Sequence, residues 1–292
     1  MKYDCRKIRA LYEQGENVMA WMRAQASSSA TAILYSYDAQ AGSYVSLLED
    51  PSQAELKTKV GERLAKLIDE CAPQSMLEAG IGEGTTLART LAACGKRPKQ
   101  VFGFDLSLSR LLFARKHLAD FGQTATLFTG ELESIPFADA SVDLVLTFHA
   151  VEPNRGREAE VLRELLRVTA RRLILVEPSY ELGSDEARAR MDRLGYVRGI
   201  PETLRALGHS PARFERFEHD VNPLNPAALI VIDKDGRRKS EPQFISPISS
   251  RPLERRSDCW FCQEDGHAFP IVSGIPCLTV ESAILASKLD QF

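Results

Sequence analysis

Met76-Leu77-Glu78-Ala79-Gly80-Ile81-Gly82-Glu83-Gly84-Thr85-Thr86 is the stretch whose reading decides the fold. An apolar run reaching an acidic residue, then glycine at three alternate positions and a helix-compatible continuation, describes a strand that turns sharply over a ligand into a helix. Glycine suits such a turn because a side chain would forbid positive φ or hold the backbone off the ligand. A dinucleotide fingerprint spaces its glycines G-x-G-x-x-G, so that a pyrophosphate sits on the helix N-terminus. Here the spacing is G-x-G-x-G. A carboxylate at Glu78 would repel a pyrophosphate but suit a ligand carrying an ammonium and a sulfonium.

This acidic-x-G-x-G-x-G string resembles the first motif of the class I methyltransferases that use S-adenosylmethionine. The resemblance implies an α/β fold, a doubly wound Rossmann-like seven-stranded sheet. It also implies S-adenosylmethionine as cofactor, its methionine end held by Glu78, Gly80, Gly82 and Gly84. About 20 residues beyond the glycines, where nucleotide-binding units place an acid against the ribose, the apolar run Val101-Phe102-Gly103-Phe104 ends in Asp105. A carboxylate accepts both protons of a cis-diol, so Asp105, with Leu106 beside it, is the ribose candidate. With Ser107 and Ser109 following, helix capping is its other available role.

A third block, Gly130-Glu131-Leu132-Glu133-Ser134-Ile135-Pro136-Phe137 continuing to Val142-Asp143, resembles the Gly-Asp-Ala-Glu-x-x-Pro-Phe segment of methyltransferases like those of quinone biosynthesis. That resemblance assigns the adenine amino group to Glu131, one methylene longer than the usual aspartate, and the ring to the amide of Leu132. Tyr35 to Tyr44 is similar to a Tyr-Asp-x-x-Ala-x-x-Tyr segment that folds over the cofactor. It brings Tyr37 and Tyr44 to the site, unless they are amphipathic packing residues.

Ligands of open α/β sheets sit at the carboxyl ends of the strands. The strand at 142–148 therefore sets Phe148 near the methyl donor and offers His149, a residue of the type that deprotonates nucleophiles at neutral pH, as a general base. A lining role is the alternative, since a sulfonium is a reactive leaving group and positioning supplies much of the rate. The cluster Glu177-Pro178-Ser179-Tyr180 at the next strand end makes Tyr180 a second catalytic candidate.

Outward from these motifs, Ile8 to Ala26 shows a helical apolar stripe and Ser27-Ser28-Ser29 a joint. A helix capped by Ser52 runs to about Cys71. Helical pattern from Leu182 to Leu207 precedes a closing strand pair at 213–219 and 227–233. The expected division is a helical N-terminal lid at 1–50, a methyltransferase domain at 51–239, and a small appendage at 240–292.

In that appendage Phe269-Pro270-Ile271-Val272-Ser273-Gly274-Ile275-Pro276-Cys277-Leu278 resembles the signature of a small zinc-ribbon family whose type members activate methyltransferases. Cys259 and Cys262 provide one cysteine pair, but Ser246-Pro247-Ile248-Ser249 stands where a C-P-x-C pair belongs. Serine is a poor zinc ligand. The expectation is a ribbon remnant without metal, packed through Trp260, Phe261, Phe269 and Ile271.

The composition of the 292 residues is that of a globular protein, and a net charge of -3 gives no global basic field for nucleic acid. Six cysteines are too few for a disulfide scaffold. No apolar signal core and no run of about 18 apolar residues occurs. The expectation is a cytoplasmic enzyme that methylates an oxygen, nitrogen or carbon of a small-molecule acceptor, with no membrane or nucleic-acid partner and a homodimer left open. Two competing readings are a methyltransferase for tRNA or protein, using Arg251, Arg255 and Arg256 as a basic patch, and a non-catalytic cofactor-binding protein.

Overall fold

The structure, a computed structural model, describes residues 3–26, 28–219 and 222–291. The long helix expected from Ile8 to Ala26 is two short ones, α1 (Cys5–Glu13) and α2 (Val18–Arg23). Gly15 at φ 78° ends the first, and the Asn17 side chain, accepting the Ala20 N–H, starts the second. Ser28 caps α3 (Ser29–Ala39), and Ser27 of the expected joint lies outside the described residues. Gly42 starts α4 (Ser43–Ser46). For α5 (Pro51–Cys71) the cap is Asp50 rather than Ser52, with Pro51 at the first helical position, where its missing N–H costs nothing.

The α/β body follows as β1 (Ser75–Ala79), α6 (Thr85–Ala93), β2 (Gln100–Asp105), α7 (Leu108–Asp120), β3 (Thr126–Thr129), β4 (Val142–Phe148), α8 (Glu158–Val168) and β5 (Thr169–Pro178). Then come α9 (Asp185–Leu194), α10 (Ile200–Ala206), β6 (Arg213–Arg216) and β7 (Ala227–Asp233). The seven strands lie in the order β3-β2-β1-β4-β5-β7-β6. β1 to β5 run parallel, and β7 runs antiparallel between β5 and β6. Strand order reverses between β1 and β4, which opens a crevice at their carboxyl ends. Apolar strands buried on both faces pack beneath helices on either side, as parallel sheets require. Among the described residues no helix is long and apolar enough to cross a membrane.

Residues beyond 240 form a small sheet of β8 (Glu254–Arg255), β9 (Cys259–Cys262), β10 (His267–Val272), β11 (Ile275–Pro276) and β12 (Ile284–Leu285). This unit covers the exposed edge of β3: the Leu278 N–H donates to Thr129 O at 3.0 Å. Phe244 stacks edge-on with Phe128 and with Trp260, each at 5.0 Å, and Phe269 and Leu278 are fully buried in the same core. Ile271 stays partly exposed.

The expected cysteine pair is separated by the pleat of β9. Cys259 faces Pro270 on β10, whereas Cys262 comes within 3.8 Å of Ser249 Oγ. The residues that converge are Ser246, Ser249, Cys262 and Asp265. Asp265 Oδ2 accepts from Ser246 Oγ at 2.7 Å and from Ser249 Oγ at 2.5 Å. The expected basic patch is largely self-paired, Arg251 with Glu264 at 3.0 Å and Arg256 with Glu254 at 3.1 Å.

Candidate functional site

The turn after β1 holds Gly80, Gly82 and Gly84 at φ 73°, 57° and 70°. A Cβ on Gly80 would sit 2.4 Å from Ala150 Cβ, and one on Gly82 2.5 Å from Arg110 Nη2. At Gly80 the neighbour is a short side chain with nowhere to go, whereas at Gly82 it is the end of the Arg110 guanidinium, and both positions demand positive φ. At Gly84 the near neighbour is Ala114 of α7, at 3.3 Å, so the third glycine lets α6 and α7 approach each other.

A cavity of about 440 Å³ lies over this turn. Of the residues read from the sequence, Tyr37, Tyr44, Glu78, Gly80, Gly82, Asp105, Leu106, Leu132, Phe148 and His149 all line it. Gly84, Glu131 and Tyr180 are not among its lining residues. Tyr180 is carried away because the chain turns after Pro178; its ring lies between the Arg188 and Arg198 guanidiniums, at 5.5 and 4.3 Å, and its hydroxyl is 3.5 Å from Asp192 Oδ2. The Glu131 carboxyl faces Glu281 instead of the cavity, and burial together with that second carboxyl pushes its pKa up to about 8. Its successors Leu132 and Glu133 do line the cavity.

Glu78 is 2% exposed and its Oε2 has no hydrogen-bond partner. Burial raises its pKa to about 8, against the pull of the Lys57 charge. Lys57, from α5, places Nζ 2.9 Å from Thr86 Oγ1 and 4.2 Å from the centre of the Phe148 ring. Asp105 has two structural bonds: Oδ2 accepts the Gly82 N–H at 3.0 Å and Oδ1 the Ser107 N–H at 2.9 Å. It thus holds the glycine turn and the start of α7, and each oxygen keeps a lone pair for a further donor.

His149 adopts φ 56°, held by its N–H to Val176 O at 2.9 Å, with Nδ1 3.3 Å from Glu152 Oε2. The buried Glu177 accepts the N–H groups of Ala150 and Val151, each at 3.1 Å, and fixes this loop. Burial lifts the Glu177 pKa to about 7.

The N-terminal helices roof the cavity through contacts the sequence reading missed. Glu83 Oε1 accepts the Gly42 N–H at 3.0 Å and Oε2 the Val45 N–H at 2.8 Å. Arg110 sets its guanidinium 5.1 and 4.9 Å from the rings of Tyr37 and Tyr44, and Nη1 3.6 Å from Asp105 Oδ2. Burial raises the pKa of both tyrosines. A legible signal existed for Lys57, which continues the buried stripe Val60, Leu64, Ile68 and is its only charge. Arg110 carried no such signal.

These residues fit S-adenosylmethionine. The orphaned, buried carboxylate oxygen of Glu78 asks for a cationic donor, and the side-chain-free turn leaves a cradle for a ligand beside it.

Residues 76–172 match a family described as a methyltransferase domain. No curated protein matches the chain in sequence. Among solved structures, magnesium protoporphyrin IX methyltransferase from Synechocystis PCC 6803 with bound S-adenosylmethionine is similar at a TM-score of 0.53 and 16% identity, over 72% of this chain and 99% of that one. A S-adenosylmethionine-dependent methyltransferase from Aquifex aeolicus is similar at a TM-score of 0.45 and 19% identity, over 65% of this chain and 96% of that one. At this identity the first likeness speaks to the fold. Sequence match, sheet order and glycine turn coincide over the same residues, and the fold is that of the methyltransferases this chain resembles.

Proposed function

We propose that the chain transfers the methyl group of S-adenosylmethionine to an oxygen, nitrogen or carbon of a small-molecule acceptor. The observation that carries this reading is one roofed cavity in which the glycine turn, Asp105 and Leu132 share walls with His149, Phe217, His219 and Asn225. The first group lies where a nucleoside would be held, and the second leaves room for an acceptor. A roof clamped by Glu83 suits a small acceptor better than a polymer.

In this reading Glu78 takes the ammonium, Asp105 the ribose hydroxyls and the Leu132 amide the adenine edge. The cofactor supplies a methyl group on a sulfonium, ready for transfer to a nucleophile. His149, its Nδ1 3.3 Å from Glu152 Oε2, accepts the proton of an acceptor that needs activation. Residues 240–292 serve as a ribbon remnant that completes the core and caps β3.

Calorimetric titration with S-adenosylmethionine and S-adenosylhomocysteine tests the reading. The wild type is expected to bind both, and Asp105→Ala to bind at least about tenfold more weakly. A folded wild type that binds neither overturns it.

A further inference from the structure

One charged group in the cavity has no place in the roles given so far. Lys57 is a cation set into the apolar stripe of α5, and among the described residues its hydrogen-bond partner is the neutral hydroxyl of Thr86. Burying an ammonium against the Phe148 ring and a hydroxyl is costly unless an anion completes it. Thr86 stands in the first turn of α6, a helix that begins on Gly84 with no side-chain cap. Its first N–H groups are orphans, and the positive end of its dipole points where an anion would be stabilised. Both Thr85 and Thr86 line the cavity.

The buried carboxylate of Glu78 lines the same cavity, and one of its oxygens has no partner. Each of the two groups pulls the other toward its charged form. The wall therefore presents one carboxylate and one ammonium as neighbours, with a helix N-terminus on the ammonium side. An α-amino acid head group carries the complementary pair on a single carbon.

We propose that Lys57, with the N-terminus of α6, holds the α-carboxylate of the cofactor's methionine moiety while Glu78 holds its α-ammonium, so that the site reads the amino-acid zwitterion and not the nucleoside alone. This rests on the cofactor reading above and adds to it a residue on α5, outside the glycine motif. A consequence is selectivity against ligands that keep the adenosine and the sulfur but lack the amino-acid head.

The test compares S-adenosylhomocysteine with 5′-methylthioadenosine by calorimetry on the full chain. Wild type is expected to prefer S-adenosylhomocysteine by at least about tenfold, and Lys57→Met to lose about tenfold or more of that affinity while its affinity for 5′-methylthioadenosine changes less than about threefold. Lys57→Arg, which keeps the charge, is expected to retain most of the preference. The unchanged nucleoside affinity reports that the variant is folded. Equal loss for both ligands, or no loss for either, overturns the assignment while leaving the cofactor reading intact. A wild type that binds neither ligand overturns the cofactor reading and the assignment together.

Discussion

Glu83, the residue before the last glycine of the turn, accepts the backbone N–H of Gly42 at 3.0 Å and so joins the floor of the cavity to its roof. Its second oxygen takes the Val45 N–H at 2.8 Å, at the start of the short helix α4. Hydrogen bonds to a charged acceptor contribute about 1.5–3 kcal/mol each. A four-residue helix has little stability of its own, so its docking depends on this carboxylate. Glu83→Ala is expected to speed hydrogen exchange at the Gly42 and Val45 amides by about thirtyfold, corresponding to about 2 kcal/mol of lost closure. Unchanged exchange at both amides would mean that the roof is held by Arg110 and its tyrosines alone.

The three glycines are not equivalent, and their substitutions separate binding from stability. At Gly80 an added Cβ meets Ala150 Cβ at 2.4 Å in a φ of 73°, between two strand ends that cannot move apart cheaply. At Gly84 the contact with Ala114 is 3.3 Å, tight but within reach of a small helix shift. The left-handed conformation adds about 1–2 kcal/mol for alanine at either place. Gly80→Ala is expected to abolish S-adenosylhomocysteine binding, whereas Gly84→Ala lowers the melting temperature and weakens binding only a few-fold. Calorimetry and thermal melting of the two variants side by side decide it; equal effects on binding would show that the turn responds as a unit.

Much of this architecture was legible because local signals and tertiary demands agree. The alternate glycines, the acid ending β2 and the apolar run of β4 each mark a strand end, and the sheet brings those ends together at the reversal between β1 and β4. Tyr180 lies outside the lining of the cavity because the direction of the chain after Pro178 is set by its docking to Pro226 O through the Ser179 N–H, which no local pattern encodes. Glu131 is drawn toward Glu281, which lies 150 residues away and arrives only with the C-terminal unit, so no local pattern could show it. Lys57 was overlooked by reading the α5 stripe for its apolar members, although a lone charge in such a stripe is itself a signal. The single helix expected from Ile8 to Ala26 failed at Gly15, where a left-handed residue and a fresh cap at Asn17 outweigh the continuing periodicity.

The facing carboxyls of Glu131 and Glu281 are expected to make the seating of the C-terminal unit pH-dependent. Burial and the second carboxyl raise the Glu131 pKa from its ordinary 4.5 to about 8, with Glu133 adding to the repulsion and Arg157 opposing it. An acid whose pKa is higher folded than unfolded binds its proton more tightly in the folded state. Its contribution is therefore full below about 4.5 and lost as pH rises through about 8. Glu131→Gln, which mimics the protonated form, is expected to hold its melting temperature from about pH 5 to about pH 8.5 better than the wild type does. Parallel pH profiles for the two proteins would show that the carboxyls separate when ionised and carry no coupling.

Asp265 gathers the side chains of the C-terminal unit around one carboxylate. Its Oδ2 takes both serine hydroxyls, its Oδ1 takes the His267 N–H at 2.9 Å, and the Cys262 thiol adds a further bond. Among the described residues no group of three or more histidine, cysteine, aspartate or glutamate side chains is placed to hold a metal ion. The donors pull the Asp265 pKa from its ordinary 3.8 to about 2 despite partial burial. A carboxylate depressed in this way contributes stability above about 3.8 that fades as pH falls toward 2. Asp265→Ala is expected to cost about 1–2 kcal/mol in urea unfolding at neutral pH, by leaving the buried Ser246 hydroxyl, the half-buried Ser249 hydroxyl and the Cys262 thiol without this acceptor. Chelator treatment of the wild type is expected to leave the same transition unmoved, because a hub of hydrogen bonds loses nothing to a chelator. Stoichiometric zinc in the purified protein, with unfolding sensitive to its removal, would sink this account of the unit as a hub of hydrogen bonds.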